Sequence, residues 1–234
     1  MSIAIRIGLP FPDGGILART AAELGPTLIS AASCRRKDRD GNWVWRPVGN
    51  AVRGTRAALD CGGFTAMLNG GYRWTVDEYV EFVVSSRGDG TLPCLWEWWA
   101  AMDYCCEPAV APDRDEVERR VRLTAESYVE TMECLAWWRG EGDTTTPDPM
   151  PTLQGWKPAD YLLSVELMTE ACGGELPDMV GLGSVCTRPL HGDDGLLAIL
   201  EALHAVLPPR VKLHMFGVKG DALRHIQRVA PNRV

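Results

Sequence analysis

The sequence predicts an α/β protein built as a (βα)8 barrel, and three observations carry that reading. Short apolar runs alternate with longer amphipathic stretches along the whole chain, the pattern of parallel strands joined by helical crossovers. Polar or glycine residues close at least five of the runs: Asp60, Asp103, Gln154, the Gly181 to Gly183 stretch, and Phe216 with Gly217. A barrel gathers all its strand ends around one mouth, whereas a doubly wound sheet concentrates its site at a switch point. After the first run stands PFPDGG, residues 10–15, not the GxGxxG of a dinucleotide-binding sheet.

The elements follow in order. Strands are predicted at residues 3–9, 26–30, 57–60, 94–102, 152–154, 179–181 and 212–216, each a short apolar run bounded by turn residues. Helices are predicted at 14–24, 75–86, 113–139, 157–172, 192–206 and 219–229 from their apolar spacing. Thr75, with Glu78 three residues on, reads as the capping box that starts the second of these. The 113–139 stretch reads as a long outer helix whose charges form a solvated face. GDTTTPDP at 142–149 reads as a loop within one domain.

Seven strands in 234 residues fall one short of a barrel, which typically needs about 250 residues. The final PNRV reads as the approach to another strand, so the expectation is a single barrel domain over 1–234 that ends before closing.

Composition narrows the class. With 46% apolar and 24% charged residues the chain has ample core. It holds no apolar run long enough for a membrane span, and no charged, apolar leader follows Met1, so a soluble cytoplasmic protein is expected. Eight cysteines show no CxxC spacing and read as reduced core thiols; vicinal Cys105 and Cys106 would be strained as a disulfide. The four histidines share no spacing with them that would make a metal site. The tryptophans of LWEWWAAMDYCCEP read mostly as wall and core.

The net charge of −7 conceals two basic stretches, 34–56 and 207–234, each +5. The first holds Arg35, Arg36, Lys37 and Arg39 beside Trp43 and Trp45, a combination that suits phosphates and stacked bases as well as it suits an ordinary solvated loop.

Asp60 and Asp103 end two successive predicted strands. Two carboxyls in one pocket can divide proton transfer from electrostatic work, although aspartate at a strand end is equally a cap for the following turn. Gln154 offers both donor and acceptor, and VGLGS at 180–184 offers backbone groups to the edge of a planar heterocycle or simply makes a tight turn. The Gly62–Gly63 pair behind Asp60 reads as clearance for a close approach, or as a turn.

Taken together, DCGGFT (60–65), MDYCCEP (102–108), LQGW (153–156), VGLGSVC (180–186) and LHMFGVKG (213–220) resemble the core motifs of the tRNA-guanine transglycosylase superfamily. Its phage and bacterial DNA-modifying branch, the deazapurine-DNA (7-deazaguanine) transglycosylases, is the nearer likeness, with DCGGF in place of the more usual DSGGF. The resemblance implies a (βα)8 barrel that exchanges guanine in a polynucleotide for a free 7-deazaguanine through a covalent glycosyl-enzyme intermediate. It implies a general acid or base at Asp60. Asp103 and Gln154 match residues on the Watson–Crick edge of the base, Gly181, Leu182 and Gly183 the backbone that reads its exocyclic group, and Phe216 and Gly217 the segment packed on its face. The family's nucleophilic aspartate follows the last motif, which places it beyond Val234.

No cofactor and no metal are expected for the exchange. The expected partners are DNA, with Arg35, Arg36, Lys37 and Arg39 on its backbone, the free base, and a second copy in a possible homodimer. The implied role is DNA modification that protects phage or bacterial DNA from restriction. Exchange into tRNA, and a non-catalytic polynucleotide-binding or assembly module, are the alternatives.

Overall fold

The computed structural model describes residues 5–11, 15–49, 52, 56–86, 96–218 and 220–229. It is a mixed α/β fold with parallel sheets and helices, and it divides into two compact units. The first comprises residues 5–102 and 130–149; the second comprises 103–129 and the chain from 150 onward.

The first unit is built on a four-stranded parallel sheet, in the order β1 (Ile7–Leu9), β2 (Thr27–Ser30), β5 (Ala57–Asp60), β6 (Trp98–Trp99). Helix α1 (Gly15–Leu24) connects the first two strands. Ala57, Ala58 and Leu59 are all fully buried, as befits a strand with neighbours on both edges and cover on both faces. Around them pack Ile29, Tyr79, Val80, Val83, Trp99 and Leu135. Two polar groups in this core donate to backbone carbonyls: the Tyr79 hydroxyl to that of Ala100 at 2.8 Å, and Trp99 Nε1 to that of Pro147 at 2.8 Å. The latter bond ties the 142–149 loop to the sheet.

Two features depart from the sequence reading. A two-stranded antiparallel hairpin, β3 (Arg35–Lys37) with β4 (Trp43–Trp45), occupies the first basic stretch. Its turn is held by Asp38, whose Oδ1 accepts from the N–H groups of Asp40 and Asn42, both at 2.9 Å. A short helix, α2 (Gly63–Leu68), follows directly on Asp60. Both are too short to carry a periodic signal.

Helix α3 (Val76–Ser85) starts at the predicted capping box: Thr75 Oγ1 accepts from the Glu78 N–H at 3.2 Å, and Glu78 Oε2 accepts from the Thr75 N–H at 3.0 Å. The strand expected at 94–102 shortens to Trp98–Trp99, residues 94 and 95 lying outside the described ones. Residues 3–4, 14, 53 and 231–234, which entered the sequence reading, also lie outside.

Helix α4 (Arg114–Gly140) contributes its residues up to Val129 to the second unit and those from Glu130 to the first. The second unit holds a three-stranded parallel sheet, β7 (Thr152–Leu153), β8 (Met179–Leu182), β9 (Lys212–Met215), with helices α5 (Pro158–Ala171), α6 (Leu196–Val206) and α7 (Gly220–Val229). Pro158 opens α5 where no N–H is needed, and Asp160 Oδ2 accepts from the N–H groups of Trp156 (3.1 Å) and Lys157 (2.7 Å). Gly192, at φ +102°, and Gly195 shape a turn, so α6 begins at Leu196 and not at 192.

The seven predicted strands each have a counterpart in the two parallel sheets. Thr75→Ala removes one half of the capping box and should cost about 1 kcal/mol, read as a lower urea midpoint; an unchanged midpoint would contradict the capping account.

Candidate active site

Asp60 closes β5, and Ser30 of β2 is its partner in register. Burial raises its carboxyl pKa above the usual range, while hydrogen bonds from the Gly62 N–H and the Ser30 hydroxyl pull in the opposite direction. Gly62 makes that N–H available. It sits at φ +80°, ψ +20°, and a Cβ there would lie 2.8 Å from the Ala32 nitrogen and 2.9 Å from its Cβ. The close approach that Gly62 permits is therefore made by the 30–32 segment of the same unit. Gly63 is buried as the first residue of α2. Cys61, fully buried, lies with its Sγ 3.3 Å from the Tyr72 hydroxyl.

In the second unit, Asp103 and Gln154 are 6% and 1% exposed, and Gln154 Nε2 donates to Asp103 Oδ2 at 2.9 Å. The other end of that amide is engaged too: Ser184 Oγ lies 2.7 Å from Gln154 Oε1. The same hydroxyl accepts from the Cys106 N–H at 2.7 Å and lies 3.0 Å from Glu107 Oε2. Helix α4 pins the segment that carries Asp103 and Glu107, since Thr124 Oγ1 accepts from the Tyr104 N–H at 3.0 Å and Arg120 donates to the Cys105 carbonyl at 2.9 Å.

The glycines of VGLGS are spaces for other side chains. A Cβ on Gly183 would collide with the amide of Gln154, and one on Gly181 would sit 2.7 Å from the Phe216 ring and 2.8 Å from Thr152 Oγ1. Gly217, at φ +72°, abuts Cys186. Leu182 is fully buried. The segment's backbone is largely committed. Gly181 and Gly183 donate to the carbonyls of Pro151 (2.8 Å) and Leu153 (3.0 Å). The Leu182 carbonyl accepts from Phe216 at 3.1 Å, and that of Gly183 accepts from the Tyr161 hydroxyl at 2.8 Å.

The structure thus brings Asp103, Gln154 and Gly183 into one hydrogen-bonded and packed group, with Gly181 of β8 against Phe216, the residue after β9, in the same unit. Asp60 belongs to the first unit. Three contributors are absent from the sequence reading. Ser184 and Glu107 complete the network around Gln154. Arg188, 9% exposed, donates to the carbonyls of Ser184 (3.1 Å), Trp156 and Gly155, its guanidinium stacked 3.9 Å from the Trp156 ring centroid. A serine directly after a glycine at a strand end was visible in VGLGS; its hydrogen-bond partners, over 70 residues away in Cys106 and Glu107, were not.

The basic hairpin needs one correction. Arg35 does not face solvent: its side chain is 5% exposed, it donates to the Arg73 carbonyl at 2.7 Å, and its guanidinium lies 4.6 Å from Trp45 and 5.9 Å from Trp74. The Arg73 carbonyl and the rings of Trp45 and Trp74 hold it inward. Arg36, Lys37 and Arg39 are exposed, with Lys37 Nζ 5.7 Å from the ring of the exposed Trp43. The seven described cysteines are free thiols, burial raising Cys105 and Cys106 well above the usual range. Among the described residues no three His, Cys, Asp or Glu side chains form a metal-binding group, and no helix is long and apolar enough to cross a membrane.

A raised Asp60 pKa has a sign for stability. The folded state holds the proton more tightly than the unfolded chain, so the contribution is complete below the ordinary value of 3.8 and is lost as pH rises through the folded pKa. Asp60→Asn, which carries no charge at any pH, should therefore raise the denaturation midpoint at pH 7, with the gain shrinking toward pH 4; a loss of stability at pH 7 would refute the desolvation account.

A family model described as DpdA, deoxypurine in DNA protein A, matches residues 45–230. That span includes all five motifs quoted above and the whole of both parallel sheets except β1 and β2. Arg36, Lys37 and Arg39 lie before it. No curated protein matches the chain. The chain belongs to the DpdA, deoxypurine in DNA protein A, family.

Proposed function

We propose that this protein is a DNA base-exchange enzyme, a glycosyltransferase of guanine transglycosylase type that replaces guanine in DNA by a 7-deazaguanine derivative. The observation that carries the reading is the DpdA match over residues 45–230, whose description names deoxypurine in DNA. Within that match, the chain presents at the end of β5 a carboxyl whose pKa burial raises, and a buried carboxyl–amide pair whose amide, Gln154, directly follows β7. We further propose that both sheets are successive parts of one (βα)8 barrel domain of the tRNA-guanine transglycosylase superfamily. All strands of both sheets pair in parallel, and an α-helix follows each of them but β2, which supports that architecture.

The target nucleotide must leave the stack before C1′ can be reached, at a cost of a few kcal/mol. Arg36, Lys37 and Arg39 are the proposed phosphate contacts, with Trp43 available to stack. A carboxylate nucleophile then attacks C1′ as the C1′–N9 bond to guanine breaks, and the departing guanine takes a proton from Asp60. The ionised Asp60 next removes the N9 proton of the incoming 7-deazaguanine. N9 attacks C1′, the ester bond breaks, and the nucleophile is released with the sugar's original stereochemistry. A carboxyl whose pKa stands above the usual range suits both steps, because it can hold the proton nearer neutrality and still give it up.

Asp103 and Gln154 are the proposed contacts to the Watson–Crick edge, Gly181, Leu182 and Gly183 border the exocyclic group, and Phe216 with Gly217 cover the base. DNA and the free base are the proposed partners, in the cytoplasm of a bacterium or a phage-infected cell; a second copy has no role in the reaction as written.

Radiolabelled 7-deazaguanine incubated with the protein and either duplex DNA or tRNA tests the reading. Label should enter DNA, and Asp60→Asn should abolish incorporation while leaving DNA affinity nearly unchanged. Label entering only tRNA, or an active Asp60→Asn enzyme, would sink it. Replacing Arg36, Lys37 and Arg39 together by alanine should weaken DNA binding and reduce the slope of log affinity against log salt by about 3. Arg35→Ala should instead lower stability.

A further inference from the structure

We propose that Ser184 and Glu107 are positioning residues that decide when Gln154 is free to read a base; the inference rests on the base-binding role proposed above for Gln154. Ser184 is the only non-glycine residue with a positive φ among the described residues, at +54°. A side chain held in the left-handed region is a local strain that the surroundings must impose. Here Arg188 holds the Ser184 carbonyl at 3.1 Å, and the strained backbone delivers Oγ to three partners at once.

The Ser184 hydroxyl has one hydrogen for two acceptors. The Cys106 N–H donates to Oγ at 2.7 Å, leaving the hydroxyl with one hydrogen of its own. Two acceptors stand within reach, Gln154 Oε1 at 2.7 Å and Glu107 Oε2 at 3.0 Å. The amide cannot resolve the competition by turning over, because Asp103 Oδ2 at 2.9 Å requires a donor and fixes Nε2 on its side. The hydroxyl hydrogen therefore has two stations. On Gln154 it satisfies the amide inside the protein. Turned toward Glu107, it releases Oε1 to accept an N–H from a bound base.

Moving between the stations is a bond rotation. No covalent bond breaks and no charge moves, so the ligand competes only for one hydrogen bond. Glu107 is built as an acceptor: it is 4% exposed, and the thiols of Cys186 (3.8 Å from Oε1) and Cys105 also donate to it. A network with one hydrogen for two acceptors avoids the cost of leaving Gln154 Oε1 unsatisfied whether the base is present or absent.

The chain has only two glutamines, Gln154 and Gln227, so 15N-glutamine labelling gives two side-chain NH2 signals, assigned with Gln227→Ala. Ser184→Gly keeps a residue suited to positive φ and deletes the hydroxyl. With the donor to Oε1 gone, the side chain is held only through Nε2 on Asp103, so the amide can swing out and solvent exchange of the Gln154 NH2 group should rise about tenfold. Unchanged exchange would overturn the positioning role. Glu107→Leu removes the second station; it should leave the free protein's Gln154 signal protected and raise the Kd for 7-deazaguanine about tenfold. Glu107→Gln, which weakens the acceptor without deleting it, should act in the same direction by a smaller factor, and supplies the test if the leucine variant fails to fold. A wild-type protein that binds 7-deazaguanine with a Kd insensitive to both Glu107 changes overturns this inference alone. A wild-type protein with a protected Gln154 amide and no affinity for the base overturns the base-binding reading on which it rests.

Discussion

A polar side chain taken out of water at the end of a parallel strand has to be satisfied by the protein itself, and both units are arranged around that requirement. In the first, Asp60 leaves a strand whose three preceding residues are fully buried, and it meets a backbone N–H and a hydroxyl. In the second, Asp103, Gln154, Ser184 and Glu107 satisfy one another within a few ångströms. The glycines, the left-handed serine and the buried Arg188 are consequences. Gly62 supplies an N–H where a side chain would strike Ala32, Gly183 leaves room for an amide, and Arg188 gathers the carbonyls that these turns leave behind.

The two solutions differ in kind. The Asp60 carboxyl receives two hydrogen bonds and still has its pKa raised, because burial outweighs them. That imbalance opposes stability at neutral pH and is what proton transfer needs. The network around Gln154 is close to balanced, with each amide end engaged, so it supplies orientation more than chemistry. The roles proposed for them, moving a proton and recognising an edge, place opposite demands on buried polar groups.

Much of this was legible in the sequence. The parallel strands were readable as apolar runs because strands covered on both faces need no alternation, and Thr75 with Glu78 announced a helix start that the structure contains. Asp60, Asp103 and Gln154 drew attention because polar residues rarely end apolar runs without reason. What escaped was set by partners distant in sequence or by elements too short to have a period. Arg35 looked like one cation among four, and only the rings of Trp45 and Trp74 and the Arg73 carbonyl, distant in sequence, turn it inward. Gly62 looked like clearance for a ligand, and its bare Cα is used against Ala32. Ser184 carried no signal beyond following a glycine, since its role exists only once Cys106 and Glu107 are brought to it.

The central claim is that Asp60 is a carboxyl whose burial outweighs its hydrogen bonds. Titration of its side-chain carboxyl carbon by 13C NMR, with Asp60→Asn to assign the signal, tests that directly. The account predicts a midpoint clearly above the ordinary aspartate value of 3.8. A midpoint at or below that value would mean that the hydrogen bonds from Gly62 and Ser30 win, and Asp60 would then be a fixed negative charge instead of a group poised to exchange a proton.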